Sequence, residues 1–319
     1  MKQFIKKVAR VIIEIAFPIT FLSSLWLKLV RIIGVGPINN LVFRQLGILP
    51  LLDHYYEPLI NPQKHLRKSL DSNRNLPGIN FNDKEQLEIL KSFNYNEELL
   101  SFPMKNSDVT VYCYENPSYS SGDAEYLYNM IRRFKPKRII EVGSGHSTLM
   151  AKNAIDANLK ENPEYSCRHI CIEPYEMSWL EKVGVELIRK KVEDVELEFF
   201  GVLEERDILF IDSSHIIRPQ GDVLFEYLEV LPILNSGVIV HVHDIFTPKD
   251  YPAEWIFDKH LLWNEQYILE AYLSNNHDYR IIGALNYLVH QHNEAFSSKC
   301  PVFSQQSGRQ PGAFWMVRN

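Results

Sequence analysis

Two kinds of periodicity divide this chain. From Gly122 onward, short and nearly continuous apolar runs alternate with stretches whose apolar residues recur at helical spacing. The pattern predicts helix Ala124–Phe134, strand Arg138–Val142, helix Ser147–Leu159, strand His169–Ile172, helix Met177–Val183 and strand Val185–Arg189. It continues with strand Asp207–Ile211, helix Asp222–Leu231, strand Gly237–Val242, helix Asn264–Ser274, strand Arg280–Leu285 and a last strand Ala313–Val317. Strands that are apolar throughout and separated by helices belong to a mostly parallel sheet with helices on both faces. The last two of these seven strands are joined by a long segment with no evident helix, which predicts an antiparallel C-terminal edge hairpin.

Upstream the pattern changes twice. Residues 34–119 are rich in turn formers such as Pro37, Pro50, Pro62, Pro77 and Pro103 and read as an irregular extension, with one amphipathic helix over Asp83–Phe93. The cluster Asp53-His54-Tyr55-Tyr56-Glu57 is polar and aromatic enough to line a substrate site, though a lone cluster of this kind is more often a loop packed on the body. Residues 1–33 form a basic apolar head. Val11–Leu27 is 17 residues long, interrupted by Glu14 and Pro18, whereas a spanning helix needs about 20 apolar residues. An interfacial anchor fits better: apolar bulk enters the acyl boundary while basic side chains meet anionic headgroups. Packing on the body or in a homodimer, and a true span, are the alternatives. The chain is expected in the cytoplasm, peripheral at the cytoplasmic face of the membrane.

Charge sharpens this division. The 319 residues carry a net −6, but residues 1–31 hold six basic side chains against Glu14 alone, +5, which leaves −11 on the rest. An acidic body with no aromatic-and-basic stripe argues against nucleic acid as a partner. The four cysteines, Cys113, Cys167, Cys171 and Cys300, show neither a CxxC pair nor disulfide-scaffold density, so buried thiols in a reducing compartment are expected.

Candidate chemistry begins where the first strand ends, in Glu141-Val142-Gly143-Ser144-Gly145-His146-Ser147-Thr148. Gly143 and Gly145 permit a tight turn and close backbone approach before a helix start. As a dinucleotide fingerprint the run is incomplete, because Thr148 holds the third glycine position. Glu141 is also out of place beside a pyrophosphate, while a cationic ligand would suit it. The run resembles the first motif of class I S-adenosylmethionine-dependent methyltransferases, and the resemblance covers residues 120–319. It implies a Rossmann-like α/β fold and S-adenosyl-L-methionine as cofactor. Glu141, Gly143, Ser144, Gly145, His146 and Ser147 would lie around the methionine moiety, and Glu173, at the second strand end, would hold both ribose hydroxyls. Of Glu193 and Asp194 after the third strand, Asp194 is preferred for the adenine amino group.

The next two strand ends read Ile211-Asp212-Ser213-Ser214-His215 and His241-Val242-His243-Asp244. Neighbouring strands lie about 4.8 Å apart, so Asp212 and Asp244 emerge together and repel unless a proton or cation neutralises one. Mg²⁺ or another divalent metal is the simplest remedy. The run is similar to the macrocin and catechol O-methyltransferase subgroup, in which these two positions hold a metal that binds the acceptor oxygen. Here Ile245 stands where catechol-type enzymes have an asparagine ligand, which leaves His243 or His215 as the third ligand. By the same resemblance His215 is the base and Asp212 its catalytic partner, and Asp212 also borders the cofactor. His241 reads as a core residue, and Phe246–Trp255 has the composition of a substrate lid. The function expected is O-methylation of a hydroxyl on a small molecule, glycan or lipid-linked sugar. An NAD(P)-dependent reductase or epimerase is the alternative, although none of the sixteen tyrosines has lysine four positions on as the short-chain type requires. A non-catalytic membrane-associated scaffold is the third reading.

Overall fold

The computed structural model describes residues 2–319 apart from Glu176, with the side chains of Lys2 and Gln3 left out; Met1, the start of the predicted head, lies outside the described residues. The chain forms two compact units, Met1–Arg67 and Lys68–Asn319. In the first, helices α1 (Lys2–Ile15), α2 (Phe17–Ile33) and α3 (Pro37–Leu46) follow one another, and Arg31 pairs with Glu57 at 2.8 Å.

In the second unit, seven strands form one sheet: β1 Arg138–Val142, β2 Arg168–Ile172, β3 Glu186–Ile188, β4 Ile208–Ile211, β5 Ile239–Val242, β6 Tyr279–Ala284 and β7 Phe314–Arg318. Their order is β3-β2-β1-β4-β5-β7-β6. Strands β1 to β5 pair in parallel, and β7 runs antiparallel to both β5 and β6, so the expected C-terminal hairpin closes the sheet with β6 at the edge. The two-residue period of the strands builds two cores. Ile140, Leu209, Val240 and Met316 face one layer of helices, and Ile139, Phe210, Ile239 and Trp315 face the other. Residues 68–119 belong to this unit too, with Phe93, Tyr112 and Tyr114 buried in the second of those cores.

Three local expectations need correction. The helix foreseen over Met177–Val183 shrinks to one 3₁₀ turn, Leu180–Lys182, because Met177 takes φ 54° and breaks the helical path. The helix foreseen over Ser147–Leu159 runs on to Glu161, its last turn held by buried Asn158, which has partners in Ile131 O at 3.0 Å and the Arg132 guanidinium. The β6–β7 connection contains helices Leu285–Gln291 and Asn293–Ser297, anchored by fully buried Leu285, Leu288 and Phe296.

The switch point of the sheet lies between β1 and β4, where the chain leaves in opposite directions. There the Asp212 N–H donates to Val142 O at 3.0 Å. Gly143 takes φ 76°, and a Cβ on it would stand 1.8 Å from the Asp212 carbonyl oxygen. Only glycine fits both the dihedral and the contact. Gly143→Ala is therefore expected to cost on the order of 3 kcal/mol of folding stability, read as a lowered urea midpoint.

Candidate active site

A cleft of about 440 Å³ opens over the C-terminal ends of β1, β2 and β4, bordered by Gly143, Glu173, Val192, Glu193, Asp212 and Arg218. Its volume suits a nucleoside-sized ligand. Glu173 is held in place by two backbone donors: Tyr175 N–H reaches Oε1 at 2.9 Å and Ser144 N–H reaches Oε2 at 3.4 Å. Its half-buried carboxylate borders the cleft. Glu193 borders the cleft, whereas Asp194 is exposed and does not, so the residue beside the cleft is the neighbour of the one expected. The reason is the short 3₁₀ turn Val192–Asp194, which directs the two side chains apart.

Glu141 also departs from expectation. It is 1% exposed and turned into the core, where Ser147 Oγ at 2.6 Å, Thr148 Oγ1 at 3.0 Å and His169 Nε2 at 2.6 Å surround its carboxylate. Cys171 Sγ lies 3.7 Å away. Glu141 and Ser147 thus brace the glycine turn from beneath and do not meet a ligand's amino group from above. Burial disfavours charge on His169, but Cys171 and Glu141 outweigh it and push its pKa up to about 10. Gly145 N–H donates to Thr148 Oγ1 at 3.0 Å, capping the helix His146–Glu161. His146 Nδ1 lies 2.8 Å from Ser118 Oγ. Ser144 keeps a buried hydroxyl with no partner among the described residues, beside the turn.

At the ends of β4 and β5, Asp212, His215 and Asp244 converge, with ligand atoms all within 4.8 Å of one another. His215 Nε2 stands 3.3 Å from Asp212 Oδ1 and 3.5 Å from Asp244 Oδ2. On its other side Nδ1–H donates to Glu265 Oε2 at 2.7 Å, and Tyr227 O–H donates to Glu265 Oε1 at 3.2 Å. The two aspartates keep side-chain exposures of 27% and 17%, so they are reachable from solvent, while His215 at 6% is enclosed. Burial opposes charge on His215, but Asp212, Glu265 and Asp244 outweigh it and hold its pKa well above the ordinary imidazole value. His215 takes φ 61° and Asp244 φ 57°, the kind of backbone strain that collects at functional sites.

His243 is not part of this group. Its Nε2 lies 3.6 Å from Asp244 Oδ1, but the ring is buried beneath Tyr119 with a centroid separation of 5.0 Å, and Nδ1 has no partner among the described residues. Strand alternation explains this: His241 and His243 share the inward face, and His241 stacks on Phe210 at 4.0 Å as a core residue. The segment after Asp244 is packed, with Trp255 5.1 Å from Trp263 and Arg74 Nη2 donating to Lys249 O at 2.8 Å. Trp263 in turn covers His215 at 4.4 Å.

Two contributors were missed from sequence. Glu265 lies four and eight residues before Leu269 and Leu273 on one helical stripe, so a carboxylate in an apolar face was the available signal. Glu226, which accepts from Ser213 Oγ at 2.9 Å, starts a π-helical turn, Glu226–Val230, that no spacing announces.

An open α/β sheet with its cleft at the switch point, acidic side chains at successive strand ends and a glycine turn on the first places this cleft where such sheets bind their ligands. Residues 140–245 match the family described as a methyltransferase domain. The matched segment, about a third of the chain, supports an S-adenosylmethionine-dependent methyltransferase with S-adenosyl-L-methionine as its cofactor. An uncharacterised protein of Archaeoglobus fulgidus is 28% identical over 192 residues, which is 56% of this chain and 83% of that one. An O-methyltransferase from Bacillus cereus solved with SAH is 12% identical, with a TM-score of 0.32 over 74% of this chain and 91% of that one. The MycE methyltransferase of mycinamycin biosynthesis, solved with Mg, SAH and mycinamycin VI, is 11% identical, with a TM-score of 0.33 over 65% of this chain and 56% of that one.

Two measurements check the electrostatics. A histidine whose folded pKa is raised stabilises fully below its unfolded value, about 6.5, and that contribution disappears as pH rises through about 10. Urea midpoints of the wild type should fall across this window, and His169→Gln should lack the fall. Glu265→Gln, which weakens the orientation of His215, is expected to lower methyl transfer by about 10- to 100-fold with S-adenosylmethionine affinity unchanged.

Proposed function

We propose that the enzyme methylates a hydroxyl oxygen of a small-molecule or glycan acceptor, with Asp212 and Asp244 holding a divalent cation and His215 taking the acceptor's proton. The observation that carries this reading is the convergence of Asp212, His215 and Asp244 beside a cleft that Asp212 itself borders. Two carboxylates and an imidazole form a donor set that suits Mg²⁺ or Mn²⁺ on the oxygens, and a more nitrogen-seeking metal if His215 joins them. When bound, the cation supplies positive charge that lowers the pKa of the acceptor hydroxyl. It would also spend the negative charge of the two aspartates, leaving Glu265 to hold His215 with Nε2 toward the acceptor.

With S-adenosylmethionine bound, its sulfonium would supply the methyl group, leaving as a neutral thioether as the carbon–oxygen bond forms, and His215 Nε2 would take the hydroxyl proton. The protein's contribution is placement: Glu173 fixes the ribose, the Gly143 turn admits the cofactor backbone, and the enclosing aromatic segment keeps water from His215. A nicotinamide reading gains no support from the site, where a carboxylate occupies the second strand end but no Tyr-x-x-x-Lys pair exists.

Calorimetric titration separates these readings. S-adenosylmethionine should bind the wild type, NADH should not, and Glu173→Ala should weaken S-adenosylmethionine by about tenfold or more, the loss expected for hydrogen bonds to a charged group. Absence of S-adenosylmethionine binding at millimolar concentration would sink the proposal. His215→Ala should bind the cofactor normally and lose about 10²- to 10⁴-fold in turnover.

A further inference from the structure

The first unit presents an unusual surface. On α1 the helical period gathers Phe4, Val8, Val11, Ile12 and Ile15 on one side and Lys6, Lys7, Arg10 and Glu14 on the other. Its apolar side is uncovered: Phe4 is 72% exposed, Ile12 60% and Ile15 74%. Of the 17 residues of α2 only Val30 is buried, and Trp26 is 60% exposed. No residue of α3 is buried, and Ile38 and Leu46 are 79% and 67% exposed. A continuous apolar face of this extent is costly in water and marks a surface that something else covers.

Charge identifies the occupant. Residues 1–67 carry nine basic side chains against three acidic ones, a net +6, while the second unit carries −12. Lys6, Lys7, Arg10, Lys28 and Arg44 have no ion-pair partner among the described residues. A cleft of about 530 Å³ beside α2 adds Ser24, Lys28 and His54, groups that can donate to a phosphate, while Lys64 in its wall is paired with Asp53 at 2.9 Å. Tyr55 and Tyr56, 83% and 81% exposed, supply the amphipathic rings favoured at headgroup depth.

We propose that this unit is a monotopic anchor that docks on an anionic lipid bilayer, with α1 lying in the interface and its lysines and arginine among the headgroups. Length favours docking over crossing. Among the described residues no single helix is long and apolar enough to cross; the pair Phe4–Ile15 and Phe17–Ile33 is so only when taken together, and α2 at about 1.5 Å per residue is shorter than the ~30 Å hydrocarbon core. The two helices meet at a 65° bend, with Glu14 beside it. An amphipathic helix with a basic rim has the form of an interfacial segment. This inference is independent of the chemistry of the second unit.

The test is flotation of the full-length protein with vesicles of phosphatidylcholine alone, or with about 30 mol% phosphatidylglycerol, at roughly 0.1 M and 0.5 M salt. Anionic vesicles should bind at least about tenfold more protein than neutral ones, and the added salt should reduce the difference. Brominated lipid should quench tryptophan fluorescence in the wild type and much less in Trp26→Phe. The combined K6E, K7E and R10E variant should lose at least about tenfold in partitioning while binding S-adenosylmethionine like the wild type. Full partitioning by that variant, no binding to either vesicle, or a stable dimer that ignores vesicles would overturn the proposal.

Discussion

Two carboxylates delivered side by side by adjacent parallel strands cannot both remain charged without compensation, and the catalytic end of this sheet is arranged around that repulsion. Register puts Ile211 opposite Val242, so the residues that follow, Asp212 and His243–Asp244, leave the sheet together. His215 reaches back to both aspartates because its backbone takes φ 61°, and Glu265 behind it fixes the ring. The same crossing brings the Gly143 turn against the Asp212 carbonyl, so cofactor cleft and reaction centre share one residue and one strand end.

A second buried charge network lies directly beneath. Glu141, His169, Cys171, Ser147 and Thr148 form a buried cluster between β1, β2 and the helix that follows the glycine turn. A paired and hydrogen-bonded cluster of this kind fixes geometry more than it adds stability. Its role is to hold the turn rigid from below while Glu173 borders the cleft.

The sheet was legible in the sequence because parallel strands buried on both faces read as unbroken apolar runs; β1 came out residue for residue. The ends of those strands were legible too, which is why Glu173, Asp212 and Asp244 stand where expected. What escaped depended on tertiary burial. The helix predicted to Leu159 reaches Glu161 because Arg132 and Ile131 hold Asn158 in its last turn, partners that no spacing reveals. Whether Glu141 faces cofactor or core, and whether His215 or His243 joins the aspartates, turns on which side of a strand is covered. Glu193 against Asp194 turned on a single 3₁₀ turn. In each case sequence spacing left two neighbours equivalent and packing separated them.

The proposed chemistry depends on Asp212 and Asp244 being able to hold a divalent cation beside bound cofactor. Electron paramagnetic resonance of Mn²⁺ added to the purified protein tests this directly. One Mn²⁺ per chain, with a spectrum that changes on adding S-adenosylhomocysteine and bound signal lost in Asp212→Asn and Asp244→Asn, is the result expected. Mn²⁺ that does not bind, or that binds equally well to both variants, would contradict it.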